Sequence, residues 1–122
     1  MAYQSFEKLE VWKRACRLAV DVCRMLANSK QYVLKDQMQR AAISIPSNIA
    51  EGSERDSKQD FVRFLRIAKG SAAELRTQCY IALKLELLAK DDADSFVAET
   101  KENSAMLQGL VRSLTSKLKT EH

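Results

Sequence analysis

The sequence predicts an all-α fold, an antiparallel up-down four-helix bundle whose second helix is kinked by an internal proline. Three observations point there. The chain of 122 residues holds three glycines and one proline, too few for the turn roughly every 8–12 residues that a strand-rich domain needs. Apolar residues make up 46% of it, enough to pack one core in a single domain spanning residues 1–122. Those apolar residues recur every three or four positions over long stretches, which is the period of a helix face.

The first helix is expected over about residues 5–28. Phe6, Leu9, Trp12, Cys16, Ala19, Cys23 and Leu26 form its apolar stripe, and Ser5 is a fair N-cap with Glu7 in the first turn. Asn28-Ser29-Lys30 breaks the pattern. The second helix, about 33–51, presents Met38, Ala42, Ile45 and Ile49 on one side, with Arg40, Ser44, Ser47 and Glu51 on another and Asn48 beside them. Pro46 lies inside it. It has no N–H for the Ala42 carbonyl and crowds that group, so a kink or a one-turn break is expected near Ser44–Pro46. Gly52 is placed to end the helix in the left-handed conformation.

The third helix, about 57–89, has the clearest signal. Ser57 and Asp60 make an N-terminal capping pair. Phe61, Leu65, Ala68, Ala72, Leu75, Cys79 and Ala82 then step by four and three in a heptad seam. Gly70-Ser71-Ala72-Ala73 near the middle suggests the close approach of another backbone. The fourth helix, about 92–118, opens on Asp91 and Asp92 and carries Val97, Thr100, Ser104, Leu107, Val111, Leu114 and Leu118 on its apolar side. Short connections make neighbours antiparallel.

Several functions are disfavoured by what is missing. No apolar run reaches the roughly 18–20 residues of a membrane span. Met1–Glu10 has no basic cap before an apolar stretch, so no signal peptide is expected. The cysteines Cys16, Cys23 and Cys79 are an odd, unpaired set that reads as core thiols in a reducing, cytoplasmic setting. The single histidine is His122, which leaves no ordinary general base and no histidine-based zinc site. No phosphate loop, HExxH or GxSxG is present. The expectation is a protein without catalysis, metal or cofactor.

Charge is the remaining lead. The net +4 is uneven, with residues 1–30 at +3, 31–56 at −1, 57–90 at +4 and 91–122 at −2. Lys13, Arg17 and Arg24 share a flank of the first helix; Arg63, Arg66, Lys69 and Arg76 share a flank of the third. Such flanks suit a phosphate backbone, and they equally suit a solvated or subunit-pairing face. No aromatic residue interleaves with them in the sequence pattern, and no recognition-helix motif is evident. Trp12 reads as a core or interface residue, a base-stacking role being the alternative. A polar network is expected among Arg40, Asn48, Glu51, Ser71 and Glu74, gathered around the proline-bearing helix. Val11, Val20 and Val22 on the first helix, and Val62, Ile67 and Ile81 on the third, fall outside the main stripes, which predicts self-association.

The stretch Gln37-Met38-Gln39-Arg40-Ala41-Ala42-Ile43-Ser44-Ile45-Pro46-Ser47-Asn48-Ile49-Ala50-Glu51-Gly52 carries a resemblance. It meets every fixed position of Q-x-x-R-A-x-x-S-I-P-x-N-I-A-E-G, a signature of the bacterial 23S rRNA intervening-sequence protein family. Phe61, Phe64, Leu65, Ala68, Gly70-Ser71 and Glu74-Leu75 resemble that family's second block, and Phe6 through Trp12 its opening. The resemblance covers roughly residues 5–118. It implies a four-helix bundle assembling as a ring, a homopentamer. Accessory proteins of diversity-generating retroelements are similar in fold, pentameric and basic, and bind nucleic acid and a reverse transcriptase. The resemblance therefore implies a non-enzymatic oligomer associated with rRNA or another structured nucleic acid. A scaffold that binds only protein is the alternative.

Overall fold

The computed structural model describes residues 5–121, with side chains through Leu118. Met1–Gln4 and His122, read above for a leader and a general base, lie outside the described residues. Four α-helices follow one another: α1 Glu10–Met25, α2 Tyr32–Ser53, α3 Lys58–Lys84 and α4 Lys90–Glu121. The described residues include no strand.

The chain enters through a single 3-10 turn, Phe6–Lys8, which Ser5 caps by accepting from the Glu7 N–H. Leu9 is extended, so α1 starts at Glu10 rather than at Ser5. Its buried residues are Val11, Ala15, Leu18, Ala19 and Val22. This corrects the expected face by one position. Two apolar stripes lie side by side on α1; the core takes the one of valine, alanine and leucine. Trp12, Cys16 and Cys23 are left half-buried at its edge. Trp12 packs edge-on against Phe6 with centroids 5.3 Å apart. Val11 and Val22 thus belong to the core, as does Val62 of α3, whereas Val20, Ile67 and Ile81 are exposed.

α2 is helical without interruption from Tyr32 to Ser53, so the one-turn break does not occur at Pro46, which is buried inside the helix. Met38, Ala42, Ile45 and Ile49 are completely buried. Gly52 is not a left-handed terminator, because no glycine has positive φ and the C-cap is Glu54. Its role is steric: a Cβ there would lie 2.5 Å from the Phe64 Cβ and 3.1 Å from Phe61 Cδ1. Close approach of α2 and α3 therefore happens at Gly52. At Gly70, where it was expected, nothing lies within 4 Å of an added Cβ.

Ser57 caps α3 by accepting from the Asp60 N–H at 3.1 Å. The heptad seam is buried from Leu65 to Ala82, with Phe61 half-buried. The helix stops at Lys84 instead of residue 89, in a Schellman motif. Glu86 takes the left-handed conformation (φ 59°), Leu87 N–H donates to the Ala82 carbonyl at 2.8 Å, and Glu86 N–H donates to the Leu83 carbonyl at 3.1 Å. Leu88 then turns back into the core.

α1 packs on α2 and α4, and α3 packs on α2 and α4, while α1/α3 and α2/α4 are the diagonal pairs. The α2–α3 and α3–α4 seams are the most extensive and α1–α4 the slightest. Leu26, Met38, Ile45, Ile49, Leu65, Leu75 and Leu107 fill the centre. No helix is long and apolar enough to cross a membrane among the described residues.

Candidate nucleic-acid interface

The two basic flanks read from the sequence sit on α1 and α3, helices on diagonal corners of the bundle. They therefore form separate surfaces, and their surroundings differ. On α1, Lys13, Arg17 and Arg24 are exposed. Arg17 Nη2 lies 3.9 Å from Glu10 Oε1, and Arg17 and Arg24 line a surface hollow together with Asp21. The neighbouring Arg14 grips Glu99 of α4 with two bonds, Nε to Oε2 at 3.0 Å and Nη2 to Oε1 at 2.8 Å. Glu102 stands 3.9 Å from Arg14 Nη1. Hydrogen bonding to Glu99, ahead of a smaller opposing effect of burial, raises the Arg14 pKa. The α1–α4 seam is thus a mixture of both signs.

The α3–α4 seam differs. Arg66 is exposed and lines a groove with Gln108, Val111, Arg112, Thr115 and Ser116, none of them acidic. Lys69 Nζ donates to Gln108 Oε1 at 2.8 Å across the seam. That bond marks which turns of the antiparallel helices face each other. Two turns away on each helix, in opposite directions, Arg76 of α3 and Lys101 of α4 occupy corresponding positions. Arg66, Arg76, Lys101 and Arg112 have no ion-pair partner among the described residues. Arg63 stands apart from this row, 3.8 Å from Asp60 and with its guanidinium 4.6 Å above the Phe64 ring centroid. Lys101 and Arg112 were hidden in the sequence because their segment is net acidic. The signal is their spacing: Lys101, Gln108 and Arg112 step by seven and four on one face of α4.

Of the polar residues grouped from the sequence, the structure joins Asn48 and Ser71, through Ser44. The Ser44 and Ser71 hydroxyls are 2.8 Å apart across α2–α3. Asn48 Nδ2 donates to the Ser44 carbonyl and to Ser44 Oγ, both at 2.8 Å. Arg40, Glu51 and Glu74 are not brought to this group. Arg40 points outward and pairs with Asp36 at 2.8 Å one turn back. Glu51 accepts from Arg55 at 3.2 Å, and Glu74 is exposed.

A second polar group went unrecognised. Asn103, fully buried, donates from Nδ2 to the Glu99 carbonyl at 2.8 Å and to Glu99 Oε2 at 2.9 Å. It holds the carboxylate that Arg14 grips. The cysteines are free. Burial raises the Cys16 thiol pKa and pushes that of Cys79 up to about 11, the opposite of what an activated nucleophile requires. No group of three or more metal-ligating side chains exists among the described residues.

A family model described as 23S rRNA-intervening sequence protein matches residues 7–109. The chain belongs to this family. A solved structure similar to it is a protein of unknown function from the S23 ribosomal protein family of Bacteroides thetaiotaomicron. It has 25% identity and a TM-score of 0.78 over 83% of this chain and 97% of that one. No curated protein matches. Within the intervening-sequence family's matched span lie all of α1, α2 and α3 and the Lys101 and Gln108 turns of α4; Arg112 falls just beyond it.

Proposed function

We propose that this member of the 23S rRNA-intervening sequence protein family is a non-enzymatic, nucleic-acid-associated bundle that holds a phosphate backbone along the α3–α4 groove. The observation that carries the reading is the row of Arg66, Lys69, Arg76, Lys101 and Arg112 along the α3–α4 seam, which at its Arg66–Arg112 end lines a groove without a carboxylate. Cations without local partners gain most from phosphate, and their contacts release counterions. The flank on α1 is a weaker candidate, since Asp21, Glu10, Glu99 and Glu102 stand among its cations. The family's name favours rRNA as the ligand, read by shape and backbone. The test is binding of the purified protein to its own organism's rRNA, against an unrelated RNA, over a salt series. The reading predicts affinity that falls steeply with salt; no binding at low salt contradicts it.

Self-assembly is the second reading, and exposed apolar side chains favour it. Ile43 of α2 and Ile67 and Ile81 of α3 are each more than two-fifths exposed. Ile67, Gly70, Glu74, Thr77 and Ile81 form one outer stripe of α3, beside the basic one. Such a stripe suits a second copy of the chain. Five copies in a ring, the assembly the family resemblance implies, would carry about +20 and repeat the groove around the particle. Light scattering at micromolar concentration tests this reading, and a monomer there contradicts it. A scaffold for another protein would assemble in the same way yet show no salt-sensitive RNA binding. A reduced, cytoplasmic location accords with three unpaired cysteines.

A further inference from the structure

We propose that Tyr80 is a base-stacking residue that makes the α3–α4 groove select unpaired strands over duplex; this rests on the reading of that groove as a phosphate-binding surface. Arg66, Lys69, Ala73, Arg76 and Tyr80 step by three and four along α3, so the tyrosine stands on the same stripe as the basic row, one turn past Arg76. Tyr80 is 50% exposed. It has no ring neighbour, cation contact or hydroxyl partner among the described residues.

A tyrosine left half in water on a helix flank exposes apolar area with no return inside the chain. The geometry points to a use. Helical side chains lean toward the N-terminus, the direction of the turn that holds Arg76, Thr77 and Ala73. Thr77 Oγ1 donates to the Ala73 carbonyl at 2.9 Å, and Ala73 is small and exposed. The aromatic side chain therefore stands one turn beyond a run of cations about 15 Å long, from Arg66 to Arg76 at 1.5 Å rise per residue. Phosphate contacts followed by an aromatic platform are the parts list of a single-strand site, because every base has a face to stack and only an unpaired base can leave its neighbours to do so. A duplex offers the groove its backbone but no free base.

The test uses fluorescence anisotropy with a labelled single-stranded RNA and the duplex of the same sequence. The variants are Tyr80→Ala, Tyr80→Phe and Arg66→Glu. Tyr80→Ala should weaken single-strand binding roughly tenfold, within the range of one lost base stack, with duplex affinity and the salt slope unchanged. Tyr80→Phe should retain the parent affinity. Arg66→Glu should flatten the salt slope for both ligands. A Tyr80→Ala protein that binds the single strand as tightly as the parent, while Arg66→Glu still acts, overturns the stacking role and leaves the groove reading intact. Absence of binding by the parent protein overturns both.

Discussion

Gly52 and Phe64 are in such close register that a single methyl on the glycine would come within 2.5 Å of the Phe64 Cβ. The contact joins the end of α2 to the first turns of α3. Phe64 itself is held by two guanidinium groups, Arg55 at 4.9 Å and Arg63 at 4.6 Å from its ring centroid. The clashing atom is a Cβ fixed by the α3 backbone, so it cannot give way as the end of a side chain would. Gly52→Ala should destabilise the fold by about 1–3 kcal/mol through overpacking. Gly70→Ala, in open space on an exposed helix face, should stabilise it by about 0.5–1 kcal/mol. Thermal or urea unfolding of the two variants reads both signs; equal effects at the two glycines would contradict the assignment.

The end of α3 makes a related prediction. Glu86 is the only non-glycine residue with positive φ among the described residues, and it occupies the position in the Schellman motif where glycine is favoured. Glu86→Gly should raise stability by about 0.5–1 kcal/mol, as relief of the left-handed strain outweighs added freedom in the unfolded chain. A lower urea midpoint for the variant would count against this.

These residues also mark where sequence reasoning succeeds and where it fails. The seam of α3, the four core residues of α2 and the Ser57 cap are all legible, because each follows from a local period or a cap chemistry. The stop at Lys84 is not, since Glu86 carries no terminating signal and Leu85–Leu88 continue an apolar run. Gly52, not Gly70, marks the close approach, because that contact depends on the neighbouring helix, which no local pattern contains. The buried face of α1 was misplaced by one position for a similar reason: two adjacent stripes are both apolar, and α2 and α4 decide between them. The groove needed the α3–α4 register before Lys101 and Arg112 could join Arg66 and Arg76.

The polar seam between α2 and α3 separates two residues expected in one network. Ser71→Ala removes the partner of Ser44 Oγ and should cost about 1 kcal/mol, a typical net value for a half-buried hydrogen bond. Arg40→Ala removes an exposed pair with Asp36 and should change stability by less than about 0.5 kcal/mol. A larger loss at Arg40 than at Ser71, measured by chemical denaturation, would restore the arginine to the network.

Cys79 predicts an alkaline weakness. Its thiol ionises in the unfolded chain near the ordinary value of 9.0, and burial pushes the folded value to about 11. Below pH 9 both states keep the proton and nothing is lost. Between about pH 9 and pH 11 only the unfolded chain releases it, so the native state binds more protons and stability falls as pH rises. Two units correspond to a loss on the order of 2–3 kcal/mol. Cys79→Ala, though less stable at neutral pH, should show a correspondingly shallower decline over that window; identical alkaline slopes for the two proteins would refute it.

On the proposed function, the α3–α4 groove and not the α1 flank meets nucleic acid. The direct measurement is the salt dependence of RNA affinity for two paired charge reversals, Arg66→Glu/Arg76→Glu and Arg17→Glu/Arg24→Glu, with folding and assembly checked by circular dichroism and light scattering. Each lost phosphate contact lowers the slope of log K against log salt by about 1. The α3 pair should lower it by about 2 and weaken binding strongly at low salt, while the α1 pair should leave the slope near that of the parent. Equal effects of both pairs, or a slope that only the α1 pair changes, would contradict it.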